Sequence, residues 1–316
     1  MALRLICAPD DDGRRLDRIL RKALPQLPLS SLHRLLRKGK VLLDNKKALP
    51  DYRVKTGQVI EVHNLVPNLQ NPLENSYYIE ETSHFINNEH QNLSIIYEGE
   101  GILVLNKPSG IAVHGPKSLA QEVSAYLAPK LPPSLSFKPG PLHRLDKATS
   151  GLIMFSSSLK GARFFSEMHK NHKIKKQYLA IVDGILKKDE IWEDYISGDK
   201  KSITKVNVLK TAKNHSLILA EIEAGKKHQI RKQAHMHRHP LSGDKKYGGS
   251  WLKEHSFFLH AFRLELCSQA LGDLSAMPEL PEDMPKEFTA PLPAYFEEKV
   301  RELFGEPFSK QLTQRR

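Results

Sequence analysis

Cysteine is nearly absent from this 316-residue chain, with only Cys7 and Cys267, far apart and without metal-type spacing. Neither a disulfide framework nor a zinc site is indicated, and a reducing cytoplasm is the expected setting. Long apolar runs are missing too. No stretch of about 18 apolar residues occurs, so no helical membrane span is expected, and "MALRLICAPDDDGRR" meets three aspartates too soon to read as a signal peptide. Internal repeats and low-complexity tracts do not stand out. Acidic residues are the minority charge, 36 against 48 Lys+Arg, for a net charge of +12. That balance suits a polyanionic partner such as nucleic acid. With 40% hydrophobic residues the chain has material for one large core or two unequal domains.

The charge is unevenly spread. Residues 1–64 carry 14 Lys+Arg and 7 Asp+Glu, whereas residues 65–92 hold four Glu, six Asn and no Lys or Arg. The latter segment has no sustained apolar period and reads as a linker or arm. In the first block, Leu16, Ile19, Leu20 and Ala23 recur at helical spacing up to Pro25. A second helix with the stripe Leu32, Leu35, Leu36 is expected to be capped by Ser30 or Ser31 and ended by Gly39. A short strand, an Asp-Asn turn and a strand over Val59 to Val62 follow. This unit is too small to be an enzyme. Its basic residues, among them Arg15, Arg18, Arg34, Arg37 and Lys38, outnumber the acids that could pair with them along the helices.

From residue 93 on, "SIIYEGEGILVLNKPSG" reads as a hairpin, and "GLIMF", "QYLAIVDGIL", "SLILAEIEAG" and "FLHAFRLEL" as further strands. Leu159, Ala162, Phe165 and Met168 mark a helix after a serine cap, and "HQIRKQAHMHRH" a shorter one. Strands outnumber helices without regular alternation, which points to an α+β fold centred on a mixed, largely antiparallel sheet. The expected organisation is a small basic domain at 1–64, a linker or arm at 65–92, a large domain at 93–305 and a polar tail at 306–316.

One stretch carries chemistry. "HRLDKATSGL", residues 143–152, resembles the signature H-R-L-D-[KR]-x-T-S-G-L of the RluA-type pseudouridine synthases, and all nine defined positions match. "NKPSGIAVHG", "KKQYLAIVDG", "GKKHQIRKQAHMHRHPLSGDKKYGG" and "HAFRLEL" are similar to further segments of that family in order and spacing. The N-terminal block resembles the alpha-L RNA-binding domain through Arg15-Leu16-Asp17, Gly39-Lys40-Val41 and Gly57-Gln58-Val59-Ile60. It departs in having Ser30-Ser31-Leu32-His33-Arg34 where the pattern has Ser-Arg. The resemblance implies an enzyme that isomerises uridine to pseudouridine in RNA, without cofactor or metal. It implies Asp146 as the catalytic carboxylate, Arg231 as its cationic partner and Tyr178 as the tyrosine packed on the uracil. Arg144 is implied to enter the RNA as the target base leaves the stack, and His143, Lys147, Lys226, Lys227 and His228 are expected to contact RNA. Ala224-Gly225-Lys226-Lys227 departs from the family's Thr-Gly-Arg-Thr or Thr-Gly-Arg-Lys, exchanging an arginine for a lysine of different hydrogen-bond geometry.

Other readings were open to these residues. The histidines 228, 235, 237 and 239 could suggest zinc, but no Asp, Glu or Cys lies within the cluster. A base-removing hydrolase would use two cooperating carboxylates, and the signature offers one. An inactive synthase fold serving ribosome assembly would have no need of Asp146, Tyr178 and Arg231 together. The expected partner is ribosomal RNA, with transfer RNA as the alternative, and the expected state is a monomer in the cytoplasm, away from membranes.

Overall fold

The computed structural model describes residues 2–64, 93–131, 133–196, 198, 201–223, 225–250, 257–267 and 281–305; the expected linker and C-terminal tail lie outside these described residues. The described residues fall into two compact units. The first holds the N-terminal segment with residues 122–140 and 157–160, and the second holds the remainder.

In the first unit, β1 (Leu3–Ile6), α1 (Leu16–Ala23), α2 (Leu29–Arg37), β2 (Val41–Leu43), β3 (Lys46–Lys47) and β4 (Val59–Val62) build a four-stranded sheet in the order β1-β4-β2-β3 against two helices. Leu16, Ile19 and Leu20 of α1 and Leu32 and Leu36 of α2 are buried with Val41, Ile60 and Val62, as the helical and alternating spacings require. Asp44 and Asn45 both take positive φ, 49° and 64°, which makes the two-residue turn a match for the strand twist. Gly39 ends α2 at φ 62°, as expected. The cap is different: α2 begins at Leu29 after an extended Pro28, whose carbonyl accepts the N–H groups of Ser31 and Leu32, and neither Ser30 nor Ser31 caps it. Proline pre-sets the extended entry and has no N–H to satisfy.

Strand β1 escapes sequence reading because four residues give too little periodicity. Asp11, wholly buried, binds this unit's separate segments. Its carboxylate accepts hydrogen bonds from Ala8 N–H (2.9 Å), Ser134 Oγ (3.0 Å), Leu135 N–H (3.1 Å) and Ser136 Oγ. Arg14 also donates to the Ser136 hydroxyl at 2.9 Å. The acid-basic run that resembled surface charge is in part an internal staple.

The second unit is built on a ten-stranded sheet. Its strands are β5 (Ile95–Gly99), β6 (Ile102–Lys107), β7 (Gly140–Pro141), β8 (Ser150–Ser156), β9 (Ile174–Asp183), β10 (Glu190–Asp194), β11 (Ser202–Ala212), β12 (His215–Ile222), β13 (Leu259–Leu266) and β14 (Glu287–Thr289). The main path runs β10-β11-β12-β9-β13-β8-β6-β5, with β14 on β13 and β7 on β8. Helices along the chain are α3 (Leu119–Leu127), α4 (Leu159–Lys170), α5 (Gln229–Met236) and α6 (Ala294–Phe304). Phe296, Val300 and Phe304 of α6 pack on Leu179, Ile181 and Leu217 of the sheet. Along the main path the strands pair antiparallel except where β8 meets β13 in parallel through two residue pairs, His260↔Ser150 and Ala261↔Gly151.

One transverse row sets up everything that follows. Ala220 of β12, Tyr178 of β9, Ala261 of β13, Gly151 of β8 and Lys107 of β6 are successive partners across the sheet. Gly151 makes the row possible. It sits at φ 103°, and a Cβ there would lie 2.2 Å from the Ala261 carbonyl oxygen, so only glycine lets β8 and β13 approach. Gly151→Ala is expected to cost about 3 kcal/mol and to lower the melting temperature by roughly 6–12 °C. Gly140→Ala, where nothing lies within 4 Å, should leave the melt unchanged in the same calorimetric comparison.

Candidate active site

Asp146 stands in the loop that enters β8, five residues before Gly151. Its backbone carbonyl accepts the N–H of Thr149 at 3.1 Å, a turn that lifts the carboxylate off the end of the strand. The loop following β6 cradles the next two residues. Lys107, fully buried, donates from Nζ to the carbonyls of Pro108 (2.8 Å), Ile111 (2.9 Å) and Lys147 (3.1 Å). Ser109 Oγ donates to Ala148 O at 2.8 Å and Gly110 N–H to Lys147 O at 2.9 Å. Burial draws the Lys107 ammonium down to about 8, against the opposing pull of the Asp146 charge. The "NKPSGI" stretch is thus a scaffold for the signature loop.

Helix α5 brings the counter-charge. Gln229 and Gln233, four residues apart, lie on one helix face. Gln229 donates to Ile203 O (3.0 Å), while Gln233 donates to Trp192 O (2.9 Å) and Ser202 O (3.0 Å) and accepts from Thr204 Oγ1 (2.6 Å). With that face fixed to β10 and β11, Arg231 points the other way, toward Asp146. Its Nη1 donates to Asp146 Oδ2 at 2.9 Å, while Nε and Nη2 grip both oxygens of Asp244 at 2.6 and 2.9 Å. The guanidinium lies 4.3 Å over the Phe257 ring and 5.0 Å over Tyr247. Burial works against its charge, but the bonds to Asp244 and then Asp146 hold its pKa above the ordinary value.

His228, just before α5, adopts the left-handed conformation at φ 58°, ψ 30°, uncommon for a residue with a side chain. This turns its ring toward the acid. Nε2 lies 3.4 Å from Asp146 Oδ1, and Nδ1 lies 2.8 Å from the Tyr247 hydroxyl. Burial, then Arg231 and the lysines 246 and 227, outweigh Asp146 and keep the imidazole pKa below its usual value. Tyr178 is buried on β9, and burial together with the Asp146 charge pushes its phenol well above the usual range. It stays protonated at neutral pH.

An open cavity of about 730 Å³ lies over these groups, bounded by His114, Arg144, Asp146, His228, Arg231 and Phe257. Tyr178, Lys226 and Lys227 line a smaller cleft adjoining it, of which Asp146 is also a wall. A carboxylate held by an arginine below an open, cation-rimmed cavity, with a neutral phenol beside it, can attack or stabilise an electron-poor ring.

Asp146, Tyr178, Arg231, His228, Lys226 and Lys227 are therefore brought together, and Arg144 and Lys147 are exposed at the mouth. His143 has a structural engagement of its own. Its Nε2 accepts the Met154 N–H at 3.1 Å, its ring stacks on Phe165, and burial with neighbouring Lys176 and His169 draws its pKa down to about 3. It is a neutral clamp between backbone segments. In the first unit Arg18, Arg34, Arg37 and Lys38 are exposed, while Arg15 is engaged with Asp17 at 2.8 Å. The four clustered histidines diverge: His237 binds Asp194, His239 the Asp183 carbonyl and His228 Tyr247, and His235 rests near the Tyr247 ring. Asp244, Tyr247, Lys107 and His114 were not singled out from sequence; "SGDKKYG" and "NKPSG" were the signals, but their roles depend on tertiary pairing.

Residues 101–236 match the family model described as RNA pseudouridylate synthase, and residues 14–60 match the S4 domain. Among curated proteins, the ribosomal large subunit pseudouridine synthase C of Pasteurella multocida is 29% identical over 292 residues, covering 85% of this chain and 87% of its own. Its namesake in Vibrio vulnificus is 27% identical over 317 residues, covering 93% and 95%. Among solved structures, human RNA pseudouridylate synthase domain containing 4 aligns with a TM-score of 0.52 at 21% identity, over 66% of this chain and 92% of that one, a likeness of fold. The match over residues 101–236 identifies a synthase domain of the RNA pseudouridylate type, an RNA-modifying isomerase, and the S4 match over residues 14–60 precedes it in the chain.

Asp244 is the anchor of the site's charge balance. Asp244→Ala leaves Arg231 buried with a single carboxylate, and a loss of about 3–5 kcal/mol is expected in chemical denaturation followed by synthase-domain tryptophan fluorescence.

Proposed function

We propose that this pseudouridine synthase acts on large-subunit ribosomal RNA, with Asp146 as its catalytic carboxylate. The substrate reading is supported by the printed names of the curated relatives and by the S4 match over the basic N-terminal block. The Asp146–Arg231 pair at 2.9 Å carries the catalytic reading. An arginine held by a second, buried aspartate sets a fixed positive charge against one oxygen of Asp146 and leaves that carboxylate in the cavity wall.

In the reaction the bond from uracil N1 to ribose C1′ breaks, the ring turns, and C5 bonds to C1′. The C5 proton leaves and N1 gains one, so no atom is gained or lost overall. Asp146 supplies the negative charge that attacks the base or the sugar, or stabilises the separated sugar. Tyr178, protonated and buried beside it, packs on the uracil and is positioned to exchange a proton with it. Arg144, exposed at the mouth, occupies the gap left by the flipped nucleotide, offsetting an unstacking cost of a few kcal/mol. Lys147, Lys226 and Lys227 hold the flanking phosphates.

Asp146→Asn should abolish tritium release from RNA labelled at uracil C5 while sparing RNA affinity within about threefold; release at the wild-type rate would remove Asp146 from the mechanism. In the first unit, Arg18, Arg34, Arg37 and Lys38 contact RNA phosphates, with Arg15 held by Asp17. Replacing Arg34, Arg37 and Lys38 together by Gln should weaken RNA binding and reduce its log-log salt slope by about 2, measured by fluorescence anisotropy across a potassium chloride series.

A further inference from the structure

We infer that Tyr247 is a positioning residue for the reaction, acting on Asp146 through His228. The inference rests on Asp146 being the catalytic carboxylate. Its ground is the placement of one imidazole between two groups: the Tyr247 hydroxyl is hydrogen-bonded to His228 Nδ1 at 2.8 Å, and His228 Nε2 lies at ion-pair distance, 3.4 Å, from Asp146 Oδ1.

The direction of the protons follows from the chemistry of the two ends. An ionised carboxylate only accepts hydrogen bonds, so of the two neutral tautomers the one with its proton on Nε2 suits the face turned to Asp146, 3.4 Å away. Nδ1 is then an acceptor, and the Tyr247 hydroxyl donates to it. Tyr247 thus fixes the tautomer, and the tautomer fixes the second oxygen of Asp146, the first being held by Arg231. Its ring is held by stacking interactions on two sides: edge to face with His228 at 5.8 Å between centroids, and under the Arg231 guanidinium. His228 is held in a left-handed backbone conformation, a strain that makes sense where ring direction matters.

The charged groups around the imidazole are Asp146 from the signature loop, Arg231 from α5, Lys227 on its own loop and Lys246 beside Tyr247. Three cations face it against one anion. When His228 takes a second proton, the imidazolium neutralises Asp146 and the rate falls, which gives the enzyme an acid limb. A hydroxyl donated to Nδ1 opposes that protonation, so its removal moves the limb upward in pH.

The test is single-turnover C5 tritium release against pH for the full-length wild type, Tyr247→Phe, His228→Gln and Asp146→Asn. Tyr247→Phe should slow the maximal rate about tenfold with KM within about twofold, and move the acid limb up by about one pH unit. His228→Gln, whose amide N–H can reach the same oxygen without titrating, should lower the plateau rate and show no acid limb in the activity that is left. A limb unchanged in Tyr247→Phe, or persisting in His228→Gln, overturns the inference, as does a loss confined to KM. Should Tyr247→Phe fail to fold, the Gln variant decides alone. Tritium release by Asp146→Asn would instead overturn the assignment of the catalytic acid, an outcome distinct from either.

Discussion

Arg231 lies between two carboxylates. One, Asp244, is buried and takes two of its donors; the other, Asp146, takes the third and opens to a cavity. Three charges close together in a low-dielectric site could not be held by any single pair, because removing a charge from water costs several kcal/mol unless geometry and hydrogen bonds return it. The asymmetry gives the site its use. Asp244 saturates the fork of the guanidinium, so Arg231 is rigid before substrate arrives, and Asp146 keeps unoccupied lone pairs facing the cavity. Much of the surrounding structure maintains this arrangement: Gln229 and Gln233 orient the helix, Lys107 and Ser109 hold the loop, and Phe257 and Tyr247 cover the guanidinium faces.

The cost of burying so much polarity is spread over several partial compensations. Lys107 satisfies three carbonyls while its charge is weakened by burial. His143 gives up its charge to accept a backbone N–H. Tyr178 remains a neutral phenol because burial, and then the Asp146 charge, disfavour its phenolate. Among the described residues lining the cavity, Asp146 is the one carboxylate.

How much of this was legible in the sequence varied with the distance over which a residue acts. Asp146 was legible because its signature is contiguous and the loop it makes is local. The hairpin β5–β6, the helices α1 and α4 and the strands β8, β9, β12 and β13 follow from periodicity that packing reinforces. Strands β10 and β11 were missed, although β11 alternates buried and exposed residues over much of its length. Asp244 and Tyr247 were hidden because nothing in "GDKKYGG" says that it faces a helix thirteen residues upstream. His143 and Arg144 are adjacent but differently placed, the first holding the Met154 N–H and the second exposed, a difference that depends on the distant strand β8 and not on the local sequence.

The parallel contact between β8 and β13 is two residue pairs long, and it divides the sheet. On one side lie β5, β6 and β8 with the acid; on the other lie β9 to β13 with the arginine, 85 residues later in the chain. The ion pair therefore spans a seam that closes only after distant parts of the chain have met, among the slowest contacts a topology can demand. The enzyme has no partial form of its site. A chain that has built either half-sheet alone holds an acid without its counter-charge, or a cation without its acid, and chemical competence marks the completion of folding.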